Sequence, residues 1–143
     1  MREADVVNEW LLIAHDDYDS ALFLFQNKCP KPLEIICYHC QQSVEKALKA
    51  YLCAQGANVP KTHDTGLLCR SCAEYCSGFS DFNDQCEELE IYATGTRYPS
   101  RIEIEERDAE KALQQAVEVY NFAKAQIEIL SENDKGTENT NND

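Results

Sequence analysis

Basic and imidazole side chains in two parts of the chain are spaced for phosphate chemistry. His39, Gln42, Lys46 and Lys49 recur at three- and four-residue steps, which on a helix puts them on one face. Two lysines one turn apart can hold a phosphate, and Gln42, His39 and Lys61 can add hydrogen bonds. The second group is His63, Asp64, Arg97, Tyr98 and Arg101, where loops meet helices. Arginine offers a phosphate a planar two-toothed fork, and a helix starting near His63 presents free backbone N–H groups to an anion. Both groups also have ordinary structural explanations, which weigh more on spacing alone. Helices have a solvated face, and Glu45 with Lys49 is a stabilising i,i+4 pair. His63 and Asp64 can cap a helix, and Arg97 can bridge to a carboxylate.

Cysteine supplies a third pattern. Cys37-x-x-Cys40 and Cys69-x-x-Cys72-x-x-x-Cys76 have the spacing of zinc ligands. Yet Cys37 and Cys40 fall within an apolar helical stripe, and Cys69, Cys72 and Cys76 follow one another at i, i+3 and i+7 beside Leu68. Such cysteines are more often small buried hydrophobes than ligands, so neither metal nor other cofactor is expected. Nucleotide-loop and zinc-protease motifs such as G-x-x-x-x-G-K, G-x-G-x-x-G and H-E-x-x-H do not occur. No catalytic residue can be assigned from these patterns.

The elements that must position these residues are helices. Only 5 Gly and 4 Pro in 143 residues disfavour an all-β fold. The predicted class is all-α, an up-and-down antiparallel bundle of about five helices. The first covers 3–27, with an apolar stripe from Val6, Val7 and Trp10 to Leu22 and Phe25. The second covers 32–54, on Leu33, Ile36, Cys37, Cys40, Val44, Leu48 and Tyr51. A third begins near His63-Asp64 and ends before Gly78, and Ser80 is placed to cap a fourth carrying Phe82, Cys86, Leu89 and Tyr92. Residues 94–99 form a loop. Ser100 and Glu103 fit a capping box for a last helix that reaches Leu130. Residues 1–130 therefore make one helical domain. From Ser131 no large apolar residue remains, so 131–143 are expected to be a disordered, acidic and polar tail. Ile35 and Val117 are apolar residues outside their stripes, and a homodimer would cover them.

The formal net charge is -13. Residues 131–143 hold Glu132, Asp134, Glu138 and Asp143 against Lys135, which is -3 and leaves -10 for the rest. Such a field repels phosphate backbones and argues against broad nonspecific nucleic-acid binding. The polar opening Met1–Asp5 and the lack of an apolar run near ~20 residues predict no membrane association and a cytoplasmic protein with reduced thiols.

Cys40-Gln41-Gln42-Ser43-Val44-Glu45-Lys46-Ala47-Leu48-Lys49-Ala50 resembles a helix of HEPN domains, Lys61-Thr62-His63-Asp64 resembles the entry to that family's third helix, and Thr96-Arg97-Tyr98-Pro99 resembles the segment before its last. The three occur in order, and the similarity covers roughly residues 5–128. The resemblance implies a homodimeric helical bundle, often paired with a small nucleotidyltransferase in toxin–antitoxin-like or stress modules. Ribonuclease members carry Arg followed after four to six residues by His. Here His occurs only at 15, 39 and 63 and Arg at 2, 70, 97, 101 and 107, so no pair has that spacing. The expectation is a non-catalytic domain that binds a mononucleotide through Gln42, Lys46, Lys49, His63, Asp64, Arg97, Tyr98 and Arg101. The alternatives are a metal-independent ribonuclease with a degenerate site using His63 and Arg97, and a purely structural interaction module whose acidic surface takes a basic partner.

Overall fold

A computed structural model describes residues 3–94 and 103–141, with side chains described as far as 134. Among the described residues all regular structure is helical: α1 (Glu3–Asn27), α2 (Leu33–Ala54), α3 (Thr65–Ala73), α4 (Asn83–Glu90) and α5 (Glu106–Asn141). Short 3-10 segments at Ser77–Phe82 and Ile91–Ala93 flank α4.

The helix ends follow local chemistry. α2 stops where Gly56 takes φ 76°, the left-handed region that only glycine enters without cost. Ala57 N–H then donates to Leu52 O and Gly56 N–H to Cys53 O, the paired bonds that use up the last free carbonyls of a helix. α3 starts at Asp64, whose carboxylate accepts from Leu67 N–H at 2.9 Å.

α2 is the axle of the bundle. It packs most extensively on α1 along one side and α5 along another, with α3 against a third. Burial consequently runs almost all round it from Cys40 to Leu52. The core joins Ile36, Val44, Leu48 and Tyr51 of α2 to Ala14 and Ala21 of α1, Leu68 of α3, Leu89 of α4 and Val119 of α5. Under α3, Phe79 is sandwiched between Tyr51 and Phe122, at centroid distances of 4.6 and 4.8 Å.

Several expectations need correction. Ser80 does not cap α4: it lies in the 3-10 segment, and α4 begins at Asn83 with no side-chain cap. In that segment the Gly78 backbone lies so close to Phe122 that a Cβ would come within 2.7 Å of the ring. The last helix begins at Glu106 and not near Ser100, so Glu103 falls in an irregular stretch. There Asp108 takes the role assigned to Glu103, accepting from Glu105 N–H at 2.9 Å. Ser100 is outside the described residues. α5 runs on to Asn141, past Leu130 where the last helix was expected to end. No proline interrupts 131–141, and Ser131 and Asp134 line a hollow with Glu3, Val7 and Leu11 of α1. Ile35 and Val117 are half-buried. The strongly exposed apolar side chains are elsewhere, led by Leu12 and Phe23 of α1 at 60% and 64% exposure.

Candidate functional site

The residues read as a solvated stripe of α2 converge on one buried carboxylate. Glu45 is completely buried. His63 comes from the loop before α3, and its Nδ1 lies 2.7 Å from Glu45 Oε1. Lys46 Nζ donates to Glu45 Oε2, and Lys49 Nζ approaches the same oxygen at 3.4 Å. The loop reaches α2 because Gln41, buried beside Glu45, donates from Nε2 to the backbone carbonyl of His63 at 2.9 Å. Gln42 Nε2 donates to Gln41 Oε1 at 2.7 Å, and Gln42 Oε1 accepts from Lys46 at 3.1 Å. The bonds form a closed circuit, Gln41–Gln42–Lys46–Glu45–His63, which returns to Gln41.

Burial alone would raise the Glu45 pKa, since a charge loses its hydration in the interior. The hydrogen bonds from Lys46 and His63 and the charges of Lys46 and Lys49 outweigh burial, and the carboxyl is held below its ordinary range. Glu45 is thus a carboxylate, as the satisfaction of buried polar groups demands. Lys49 is 7% exposed, its charge 5.8 Å from the Trp10 ring centroid, within the reach of a cation–π contact.

Gln42, Lys46, Lys49 and His63 are therefore brought together. Asp64 adjoins them, but its carboxylate is the α3 cap. Burial, followed by the nearby Asp64 carboxylate, raises the pKa of Glu90, so this edge of the site is acidic. Arg97, Tyr98 and Arg101 lie outside the described residues. His39 leaves the group altogether: its Nδ1 is 3.0 Å from Asp17 Oδ1, tying α2 to α1.

Chemically, the circuit does two things. Two lysines and one carboxylate leave a single positive charge over on the α2 side of the junction, opposed at its edge by Asp64 and Glu90. His63, bonded through Nδ1 to a fixed carboxylate, is held in one ring orientation with Nε2 on its far side. The His63 side chain is 70% exposed, so that nitrogen is presented to whatever docks there. Gln41 and Glu45 are the members of the circuit that spacing missed. Both stand inside the family-like segment of α2, and that signal would have found them.

The cysteines make no comparable centre. Cys69 Sγ donates to Phe79 O at 3.2 Å and Cys72 Sγ to Leu48 O at 3.5 Å, so both serve the core as thiols. Burial, assisted by the charge of Asp108, pushes the Cys37 thiol up to about 12, and burial raises Cys40 and Cys72 further. Among the described residues no group of three or more His, Cys, Asp or Glu is placed to hold a metal ion. No helix among them is long and apolar enough to cross a membrane.

A helical bundle whose central helix carries a buried glutamate, closed by a histidine from the next loop, is the class of protein that fold and site define. The family model of the HEPN domain matches residues 7–126, and the chain belongs to that family. Its fold is also similar to the crystal structure of an archaeal HEPN homologue, with TM-score 0.67 and 26% identity over 85% of this chain and 97% of the other. No curated protein matches the chain.

Proposed function

We propose that this HEPN domain works without catalysis of its own, as a dimerising partner of a nucleotidyltransferase in a toxin–antitoxin-like or stress module, and that it binds a mononucleotide phosphate at the α2–α3 junction. The supporting observation is that Lys46 and Lys49 are both engaged by Glu45. A cleft for RNA needs several uncommitted cations; here the two lysines of α2 exceed Glu45 by one charge, on the scale of one phosphate at most. The outer edge of Lys46 and His63, donating from Nε2, are the groups a phosphate would meet, with Arg97 and Arg101 as further members of the proposed site.

Titration calorimetry with AMP and ATP tests this. Weak, salt-sensitive binding is expected, reduced by His63→Ala and Arg97→Ala and unchanged by Lys111→Ala, whose partner is Glu88 between α4 and α5, 2.9 Å away. Absence of nucleotide binding by the parent, or binding indifferent to His63→Ala, overturns the nucleotide site. Failure to co-purify with a nucleotidyltransferase encoded beside it overturns the partnership, and scattering by monomer alone at micromolar concentration overturns the dimer. The degenerate ribonuclease has one observation in its favour, the Glu45–His63 pair, which is how an imidazole is oriented to act as a base. RNA cleavage by the purified protein, lost in His63→Ala, would establish that reading instead.

A further inference from the structure

The outer edge of α1 has no place in the reading above. Asp5, Glu9, Leu12, Asp16, Asp19, Phe23 and Gln26 follow one another at alternating steps of four and three, and every one is exposed. Alternating four-three spacing is the seam along which one helix winds on another. The inner residues of α1, among them Val7, Ala14 and Ala21, are already used against the bundle, so this is a second seam on another side of the helix. Its large side chains, Leu12 and Phe23, are the most exposed large hydrophobics described. They stand eleven residues apart, about 16 Å along the axis. Its remaining charged positions are all acidic, and α1 as a whole has six Asp or Glu and no Lys or Arg.

We infer that this seam of α1 docks a basic amphipathic helix of another protein, one with apolar residues to cover Leu12 and Phe23 and lysine or arginine opposite Glu9, Asp16 and Asp19. Charge selects this occupant. A second copy of α1 would set the four acids of the seam, Asp5, Glu9, Asp16 and Asp19, against the same four with no Lys or Arg between them, which costs energy. An anionic membrane surface is repelled for the same reason. A basic helix turns both features to advantage: its cations steer it to the seam, and burial of the two apolar anchors holds it there. The His15 ring already sits among these acids, with Nδ1 3.9 Å from Asp16 and 3.7 Å from Asp19, so both carboxylates are within reach of a nitrogen at this spacing.

The probe is a synthetic three-heptad helical peptide with leucines eleven residues apart and lysines at the other seam positions, titrated into the full chain by fluorescence anisotropy. A second peptide carries glutamate for lysine. The basic peptide should bind, and the acidic one should not. Added salt should weaken binding. Leu12→Ser with Phe23→Ser should weaken it at least about tenfold, the scale of a central interface residue. Asp16→Lys with Asp19→Lys should abolish it and admit the acidic peptide. All four positions are exposed, and helicity by circular dichroism confirms that each variant is folded. Absence of binding, equal binding of both peptides, or indifference to either double substitution overturns the proposal. So does a dimer that Leu12→Ser with Phe23→Ser dissolves, or vesicle binding lost in that variant, since the seam would then belong to a second copy or to lipid.

Discussion

α1 and α2 are neighbours of similar length that treat charge in opposite ways. α2 carries Glu45 and Lys49 into the interior, while α1 leaves Leu12 and Phe23 in water. Both break the rule that a helix hides its apolar face and shows its polar one. The reason is position. α2 is covered by α1, α3 and α5, so its polar side chains must find partners inside, and they find one another. α1 is covered mainly by α2, and its far side meets no other described element. A residue's fate here is set by how many sides of its helix are occupied, which periodicity does not encode.

The largest expected effect tests the buried side of this contrast. Glu45→Gln removes the one anion that compensates Lys46 and Lys49, leaving Lys49 as a buried cation. Breaking a buried ion pair by removing one partner costs about 3–5 kcal/mol, and denaturant titration should show a loss of that order. Lys49→Met in the Glu45→Gln background should recover part of it, because the uncompensated charge goes too. A loss no greater than that of an exposed ion pair, below about 1 kcal/mol, would mean that Glu45 is not integral to the fold.

A smaller effect of the same residue appears with pH. The folded-state pKa of Glu45 lies below its ordinary value of 4.5. The unfolded chain therefore binds the proton first as pH falls, and stability rises with pH through this window. The contribution is complete above the unfolded value, about 4.5, and is lost as pH drops through the folded one. Acid unfolding followed by circular dichroism should be less steep in Glu45→Gln than in the parent. Identical acid limbs would place the parent's acid sensitivity on other carboxylates.

The class of fold was legible because it rests on periodicity and punctuation. The ends of α1 and α2 fall within a residue of the positions expected from Lys28–Pro32 and from Gly56. The ends of α4 and α5 were not legible. At the first, Ser80 falls in a 3-10 segment and does not cap the helix; the second depends on a bond between Asp108 and Glu105 that a nearby Ser-x-x-Glu pattern imitates. At the site, spacing identified the two lysines and the histidine but read their face as solvated. Glu45 had an evident partner at i+4, and nothing in the spacing reveals that its other oxygen is taken by a histidine eighteen residues on. The cysteine spacing has the form of a zinc site, and the helical stripe on which the thiols lie argued correctly that Cys37, Cys40, Cys69 and Cys72 are buried, while Cys76 is half-buried.

The smallest expected effect tests the exposed side. Phe23→Ser removes a large aromatic group, a change that costs several kcal/mol in a core. At 64% exposure Phe23 has little packing to lose, so the melting midpoint should stay within the range of neutral surface changes, about 0.5 kcal/mol. Two residues earlier, Ala21 is fully buried against the bundle. There the addition of volume in Ala21→Leu should cost about 1–3 kcal/mol through overpacking. On one helix, deleting a large side chain should thus matter less than enlarging a small one. Serine at 23 also removes an exposed hydrophobe, so solubility should rise or hold while stability does not move. A drop in stability comparable to that of Ala21→Leu would mean that Phe23 is covered in solution, and the free chain would then already have an occupant on the α1 seam.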